Sequence, residues 1–389
     1  MRIVHVANFY GPHSGGIKTT LHQLGRGYQR YGHEFIYIVP GSHFVKEETM
    51  YGTKISLPSF ILPGSGSYRI ISRNSQLKKL IAQLQPDRLE ISDRFTLRSL
   101  GRWAKQREIP TVVFSHETLR GLAKRFLPRF FPQKALVDWH NRTLASKFDH
   151  VVATTQYAAR EFEELGIKNL ARVPLGVDLE NFNPVNRSSE LRQELLKENR
   201  FLIVHCGRLS PEKEPQRSIE ALIEMRKEGI DARLVIIGVG PMWKRMRELA
   251  KGLPVDLLGY VANPRQVASI LACADVTFAP GPLETFCLSA LESIASGTPV
   301  IASQSSAVGE FLALDQEIPA GAVADNCGAA FAQAAIDILA MTEARDVARR
   351  SAEKLPWDKT IQLMMELHKM PNIGDRAPTA TTKRKIIAA

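Results

Sequence analysis

The sequence predicts an α/β protein built of two doubly wound parallel-sheet domains, and three observations predict it. Apolar, β-rich runs alternate with longer helical patterns along the chain. Those runs are continuously apolar, as in strands covered on both faces by helices. The length, 389 residues, has room for two domains of ordinary size.

Taken in order, Ile3–Ala7, Glu34–Val39, Thr111–Ser115 and His150–Thr154 read as strands of a first sheet. Leu202–Cys206, Arg233–Ile237, Val255–Leu258, Val276–Ala279 and Pro299–Ala302 read as strands of a second. The first domain is read as residues 1–185 and the second as 199–355. A polar junction containing Pro184 is expected within 181–199. A last helical pattern begins near Leu355-Pro356-Trp357, and 356–370 are read as crossing back to the first domain. Residues 371–389, rich in Pro, Thr, Ala and Lys without periodicity, are expected to be disordered. Ligands of such a fold bind outside the carboxyl ends of the strands, in the crevice between the domains.

Composition narrows the class. A hydrophobic content of 44% allows a large core, and no apolar run reaches the length of a membrane span. The start, Met1-Arg2-Ile3-Val4-His5-Val6, reads as a strand and not as a signal peptide. Cys206, Cys273, Cys287 and Cys327 form no CxxC pair and read as buried thiols of a reducing compartment. A net charge of +11 points to an anionic partner: phosphorylated substrates, an anionic membrane surface or nucleic acid. No nucleic-acid-binding signature is present, so that partner ranks last.

Several motifs sit after strands. Gly15-Gly16 lies between the first strand and the next helix, where backbone approaches a ligand closely and offers N–H groups to an anion. It is neither a dinucleotide fingerprint nor a Walker A loop. Gly207-Arg208-Leu209-Ser210-Pro211-Glu212-Lys213 puts two cations five positions apart after a strand, able to converge on a diphosphate. Gly238-Val239-Gly240-Pro241 predicts a tight turn near a ligand, and the backbone of Gly259 and Tyr260 could read a base edge. Glu284 and Glu292 stand eight positions apart around a break at Gly281-Pro282. The break puts Glu284 in the loop entering a helix, with its carboxylate at the helix N-terminus. Two glutamates flanking a phosphate site suit a nucleotide sugar. His116 follows the strand Thr111–Ser115, where an imidazole can hydrogen-bond a sugar hydroxyl. Each motif alone also fits an ordinary turn or a solvated surface. No Asp-x-Asp metal pair is present, so a site without metal is expected.

In combination and order, these motifs resemble the retaining glycosyltransferases of GT-B fold, family 4-like, over residues 1–370. Within them the likeness is to the actinobacterial phosphatidylinositol mannosyltransferases. It rests on Val6-Ala7-Asn8-Phe9-Tyr10-Gly11-Pro12, the run from Ser92-Asp93-Arg94 to Trp103, and Ala279-Pro280-Gly281-Pro282. The resemblance implies GT-B architecture, two Rossmann-like domains facing a central cleft that closes around donor and acceptor. It implies GDP-mannose as donor and a glycolipid such as phosphatidylinositol dimannoside as acceptor, with no cofactor and no metal. Arg208 and Lys213 would hold the diphosphate, and Glu284 the donor sugar's hydroxyls beside the N–H groups of Thr285 and Phe286. Glu292 would bind the ribose, Gly16 would approach the phosphates, and His116 would contact the sugar's C6 hydroxyl. One departure is Glu214, where the family usually has Gly after the Lys. Retention without a clear nucleophile favours front-face transfer, in which the departing phosphate takes the acceptor's proton.

A lipid acceptor implies a cytoplasmic enzyme peripherally associated with the inner face of the plasma membrane. Arg73, Lys78 and Lys79, with Arg125 and Arg129, lie beside apolar side chains and read as its docking face. The same fold with a UDP-sugar or a soluble glycan acceptor is the alternative. Others are a nucleotide-sugar epimerase, a phosphorylase and a silent sugar- or lipid-binding protein.

Overall fold

The computed structural model describes residues 1–11, 14–61, 68–126, 128, 130, 132–314 and 318–370. They divide into two units: residues 1–154, 158–174 and 358–370, and residues 155–157 and 175–357. The division falls between Pro174 and Leu175, ahead of the stretch 181–199 expected to hold the junction. That stretch is tied into the second unit. The Asn183 side chain accepts from the Val185 N–H, and Arg187 donates to the Ala272 carbonyl at 3.3 Å. Residues 371–389, expected to be disordered, lie outside the described residues.

The first unit contains, in chain order, β1 (Arg2–Val6), β2 (Glu34–Gly41), β3 (Val45–Thr49), β4 (Gly52–Pro58), β5 (Phe60–Ile61), β6 (Arg69–Ile70), β7 (Arg88–Ile91), β8 (Thr111–Ser115), β9 (His150–Ala153) and β10 (Leu170–Arg172). Eight of them form a sheet in the order β10-β9-β8-β7-β1-β2-β4-β3, and β5 pairs with β6. The sheet is parallel except for the β3–β4 hairpin, which the apolar runs did not announce. The reason is composition: β3 reads Val-Lys-Glu-Glu-Thr and is largely exposed. The chain winds outward from β1 through β2 and β4, returns to β7, and then winds the other way. The switch point therefore lies between β1 and β7.

The helix Gly16–Arg30 follows β1 and buries Leu21, Leu24 and Tyr28 at helical spacing. The helix Asn74–Leu84 buries Leu77, Ile81 and Leu84 in the same way. Leu77, Ile81 and Leu84 join Val4, Ile36, Leu89 and Val113 in one apolar core. The last helix, Trp357–Leu367, brings Ile361, Met364 and Met365 into buried positions. Thr360 Oγ1 donates to the Pro174 carbonyl at 2.8 Å, and Arg88 Nε donates to the His368 carbonyl at 3.0 Å.

The second unit contains β11 (Phe201–Cys206), β12 (Ala232–Ile237), β13 (Val255–Gly259), β14 (Val276–Ala279), β15 (Val300–Ser303) and β16 (Gly321–Ala324). They form one parallel sheet in the order β13-β12-β11-β14-β15-β16. This is the doubly wound order in which ligands bind at the switch between the first and fourth strands, here β11 and β14. Ile203, Leu234, Ile236, Phe278, Ile301 and Phe331 build its core. Two doubly wound α/β units are thus what the alternating runs predicted. All four cysteines are free; Cys273 is buried, Cys206 and Cys287 are partly buried and Cys327 is exposed, against the expectation of four buried thiols. Among the described residues no helix is long and apolar enough to cross a membrane.

Candidate functional site

In the second unit the loops leaving β11 and β14 carry the charged candidates. Lys213 lies in a short turn after β11, and Glu284 in the loop after β14. Lys213 Nζ stands 2.7 Å from Glu284 Oε2, so the two residues meet across the switch point. Burial lowers the Lys213 ammonium's proton affinity, but the Glu284 carboxylate outweighs it and leaves the pKa raised. Burial holds the Arg208 guanidinium below its usual value, against the pull of Glu212 and Glu284. Arg208 therefore belongs to the same electrostatic cluster.

Glu284 differs in detail from its expected setting. It lies four positions before the helix Leu288–Ala295, and its carboxylate faces Lys213 instead of capping that helix. Its carbonyl accepts from the Ala307 N–H at 2.8 Å, which pins the loop. Cys287, the residue before the helix, has φ 67. Glu214 has φ 45 and Phe9 φ 60. Of seven non-glycine residues with left-handed backbone among the described ones, these three sit in the loops after β14, β11 and β1. Strain of that kind costs about 1–2 kcal/mol and gathers where loops are held for function.

Glu214 also explains the departure from the family's glycine. Its conformation is the one glycine adopts freely. Here its carboxylate is ion-paired with Arg217, three positions on. Arg217 is buried and donates to the Pro280 carbonyl at 2.6 Å. One guanidinium thus joins the Lys213 loop to the Glu284 loop. Arg217 was not among the sequence candidates, although its spacing from Glu214 on a helix start was a readable signal.

The glycine motifs hold Arg208 in place. A Cβ on Gly238 would lie 1.9 Å from the Gly207 carbonyl oxygen, and one on Gly240 would lie 2.3 Å from that of Leu209. Leu209 N–H donates to the Val239 carbonyl at 3.1 Å, and Gly238 N–H to the Gly259 carbonyl at 2.8 Å. Gly238 and Gly240 therefore serve close backbone packing beneath the Arg208 loop, Gly259 contributes its carbonyl, and Tyr260, after β13, is exposed. Thr285 and Phe286 are buried, with Phe286 packed against Phe311 at 5.6 Å between ring centres.

Glu292 sits on the helix Leu288–Ala295. Burial and the nearby Asp178 push its carboxyl up to about 7. Asp178 was not a sequence candidate, and nothing local points to it. Burial, with Glu292 and Cys287 nearby, raises the Cys206 thiol, and burial pushes Cys287 up to about 12. Neither thiol is a ready nucleophile. Among the described residues no three His, Cys, Asp or Glu side chains are grouped to hold a metal ion.

In the first unit Gly15 and Gly16 follow β1 and are exposed. A Cβ on Gly15 would meet no heavy atom within 4 Å among the described residues. His116 follows β8, partly buried, with Nε2 2.9 Å from Ser92 Oγ. Burial, with His5 and Arg94, lowers its pKa to about 4, so the ring is neutral. Arg94 is buried in an ion pair with Glu161 at 3.0 Å and donates to the Glu117 carbonyl at 2.9 Å, steadying the segment after β8. Arg73 and Lys79 are exposed at the helix Asn74–Leu84, with Lys78 beside them. Arg129 and the Arg125 side chain lie outside the described residues. Nearby, Trp139 and Phe130 are exposed, whereas Arg120 and Lys134 are ion-paired with Asp138.

Residues 186–355 match the family "Glycosyl transferases group 1", and residues 14–181 match "Glycosyltransferase Family 4". A Mycobacterium tuberculosis (H37Ra) protein named GDP-mannose-dependent alpha-(1-6)-phosphatidylinositol dimannoside mannosyltransferase is 44% identical over 368 residues. That match covers 94% of this chain and 95% of the relative. Among solved structures, sucrose-phosphate synthase from Thermosynechococcus elongatus superposes with a TM-score of 0.75 at 17% identity, covering 95% and 98% of the two chains. Anabaena Alr3699/HepE in complex with UDP superposes with a TM-score of 0.71 at 17% identity, covering 94% and 99%. At these identities the structures speak for the fold alone.

Proposed function

We propose, for a chain that belongs to the glycosyltransferases of group 1 and family 4, that it moves mannose from GDP-mannose to phosphatidylinositol dimannoside. The observation that carries the reading is the Lys213–Glu284 pair beside Arg208 at the switch point of the second sheet. A nucleotide sugar offers a diphosphate to the cations and hydroxyls to the carboxylate. Donor binding would exchange one ion pair for two contacts, Lys213 to phosphate and Glu284 to sugar. The 44% identical relative supports the choice of donor and acceptor through its name.

In this reading transfer retains configuration and needs no metal. Arg208 and Lys213 stabilise the charge that develops on the leaving diphosphate, the task a metal ion performs elsewhere. The acceptor hydroxyl attacks on the leaving-group face and gives its proton to the departing phosphate. Glu284 orients the sugar, and its ion pair with Lys213 disfavours a role as nucleophile. Glu292 takes the ribose. The acceptor's lipid tail calls for peripheral membrane association, which exposed Arg73, Lys79, Trp139 and Phe130 support.

The test is transfer from radiolabelled GDP-mannose to purified phosphatidylinositol dimannoside in the presence of EDTA. Labelled trimannoside is expected, with the anomeric configuration retained, and Lys213→Ala should abolish it. Activity only after adding a divalent cation would sink metal independence. Nucleotide binding without lipid product would move the search to other acceptors, and transfer from a UDP-sugar alone would overturn the donor. A trapped covalent glycosyl–Glu284 species would end the front-face mechanism.

A further inference from the structure

Behind His116 lies a buried polar chain in the first unit. Glu90, in β7, is buried and anchored on three sides. Tyr28 Oη donates to its Oε1 at 2.6 Å, His368 Nε2 donates to the same oxygen at 2.7 Å, and His5 Nδ1 donates to Oε2 at 2.7 Å. Burial pushes this carboxyl up, but the bonds from His368 and His5 prevail and hold it well below the usual range. Glu90 is therefore a carboxylate and can only accept.

The His5 Nδ1 proton is committed to Glu90. Its other nitrogen, Nε2, lies 2.8 Å from Ser92 Oγ, which also lies 2.9 Å from His116 Nε2. The Phe114 ring stacks near both imidazoles, 5.4 Å from His5 and 5.7 Å from His116 between centres. Ser92 has one proton and two imidazole nitrogens to serve. If His5 Nε2 is bare, Ser92 donates to it and accepts from His116 Nε2–H. The proton of neutral His116 then sits on Nε2. If His5 Nε2 carries a proton, Ser92 accepts from it and donates to His116 Nε2, and the proton of neutral His116 sits on Nδ1. Either way the chain selects one tautomer.

We infer that His5 and Ser92 are positioning residues for His116. The chain Glu90–His5–Ser92 decides which nitrogen of His116 holds its proton, and so whether the ring gives or takes a hydrogen bond at a sugar hydroxyl of the donor. The inference rests on the donor-sugar contact that the family resemblance implies for His116. A purely structural network would tie β1, β7 and the last helix together without selecting the tautomer of His116.

The experiment labels histidine isotopically in the full chain and reads the ring nitrogens by NMR, with His116 assigned through His116→Gln. A single neutral tautomer is expected in the native protein and in Ser92→Thr, and a mixture in Ser92→Ala. Ser92→Ala should also lower kcat about tenfold, the order expected of one misplaced hydrogen bond, with KM for the donor less affected and Ser92→Thr restoring activity. An unchanged single tautomer in folded Ser92→Ala, or a mixture in the native protein, overturns the positioning role. Full transfer by His116→Ala, with the tautomer result intact, would instead overturn the reading of His116 as a donor-sugar residue and reduce the chain to a structural one.

Discussion

Glu292 shows how a residue's environment turns into a measurable pH response. Burial and Asp178 raise its carboxyl to about 7, above its unfolded value. The folded state therefore holds a proton that the unfolded state has released, so this group costs stability as pH rises from about 4.5 through 7. In its proposed role the carboxylate would accept from the ribose hydroxyls, and the diphosphate of a nucleotide sugar has no proton to lose in that window. GDP-mannose affinity, measured by calorimetry, should rise between about pH 6 and about pH 8. Glu292→Gln should flatten that rise, weaken binding at the upper pH, and melt higher there than the native protein. A pH slope that survives in Glu292→Gln would remove this residue from the ribose. The residue types around the site were legible: Arg208, Lys213, Glu284 and Glu292 each stand in a recognisable motif. Their pairings were not. That Lys213 faces Glu284 follows from strand order, and that Glu214 tolerates a left-handed backbone follows from its pairing with Arg217. The Lys213 result also bears on stability, because removing the ammonium leaves a largely buried carboxylate unpaired. Loss of transfer by Lys213→Ala should therefore be judged on protein shown to be folded.

At the scale of elements, the loops after β1, β11 and β14 carry Gly15, Gly16, Arg208, Lys213 and Glu284 because doubly wound sheets diverge at those strands. Alternation of apolar runs was enough to locate β1, β2, β8 and β9, and five strands of the second sheet to within a residue or two. It missed β3, which is charged, β4 beside it, the central β7, the edge strand β10, and the short strands β5, β6 and β16, because periodicity needs length and contrast. The helix Asn74–Leu84 has the opposite character, one buried apolar stripe and a basic outer side. Each cation near an anionic headgroup surface adds about 1 kcal/mol. Replacing Arg73, Lys78 and Lys79 together with Gln should lower co-sedimentation with anionic vesicles by at least about tenfold and leave binding to neutral vesicles unchanged. Equal co-sedimentation of variant and native protein would remove this helix from the docking face.

At the scale of the whole molecule, burial of neutral imidazoles sets the response to acid. His22, His116, His140 and His205 have pKa values of about 4, chiefly through burial. The unfolded chain protonates them near 6.5, so their contribution is present above that value and is lost as pH falls from about 6.5 through 4. Glu292 works in the opposite direction, but it is one group, and it shares the second unit with His205 alone of these four. The first unit holds the other three and Glu90, whose depressed carboxyl adds a further loss at lower pH. Hydrogen exchange read by mass spectrometry at about pH 5 should show protection falling sooner in residues 1–154 than in 175–357, relative to pH 7.5. Uniform loss along the chain would contradict this.

The sequence by itself determined the two α/β units, the parallel sheets and the motifs at the carboxyl ends of their strands. Those features are written in local periods and short spacings. Tertiary structure alone decided which charges meet. Glu90 gathers His5 from 85 positions away and His368 from 278. Glu214, Arg217 and Pro280 join two loops that only the strand order β11–β14 brings together. Hydrogen bonds and ion pairs act over a few ångströms, while the partners they join are separated by whole crossovers of chain. Their identity therefore depends on the completed sheet and cannot be read from any one segment.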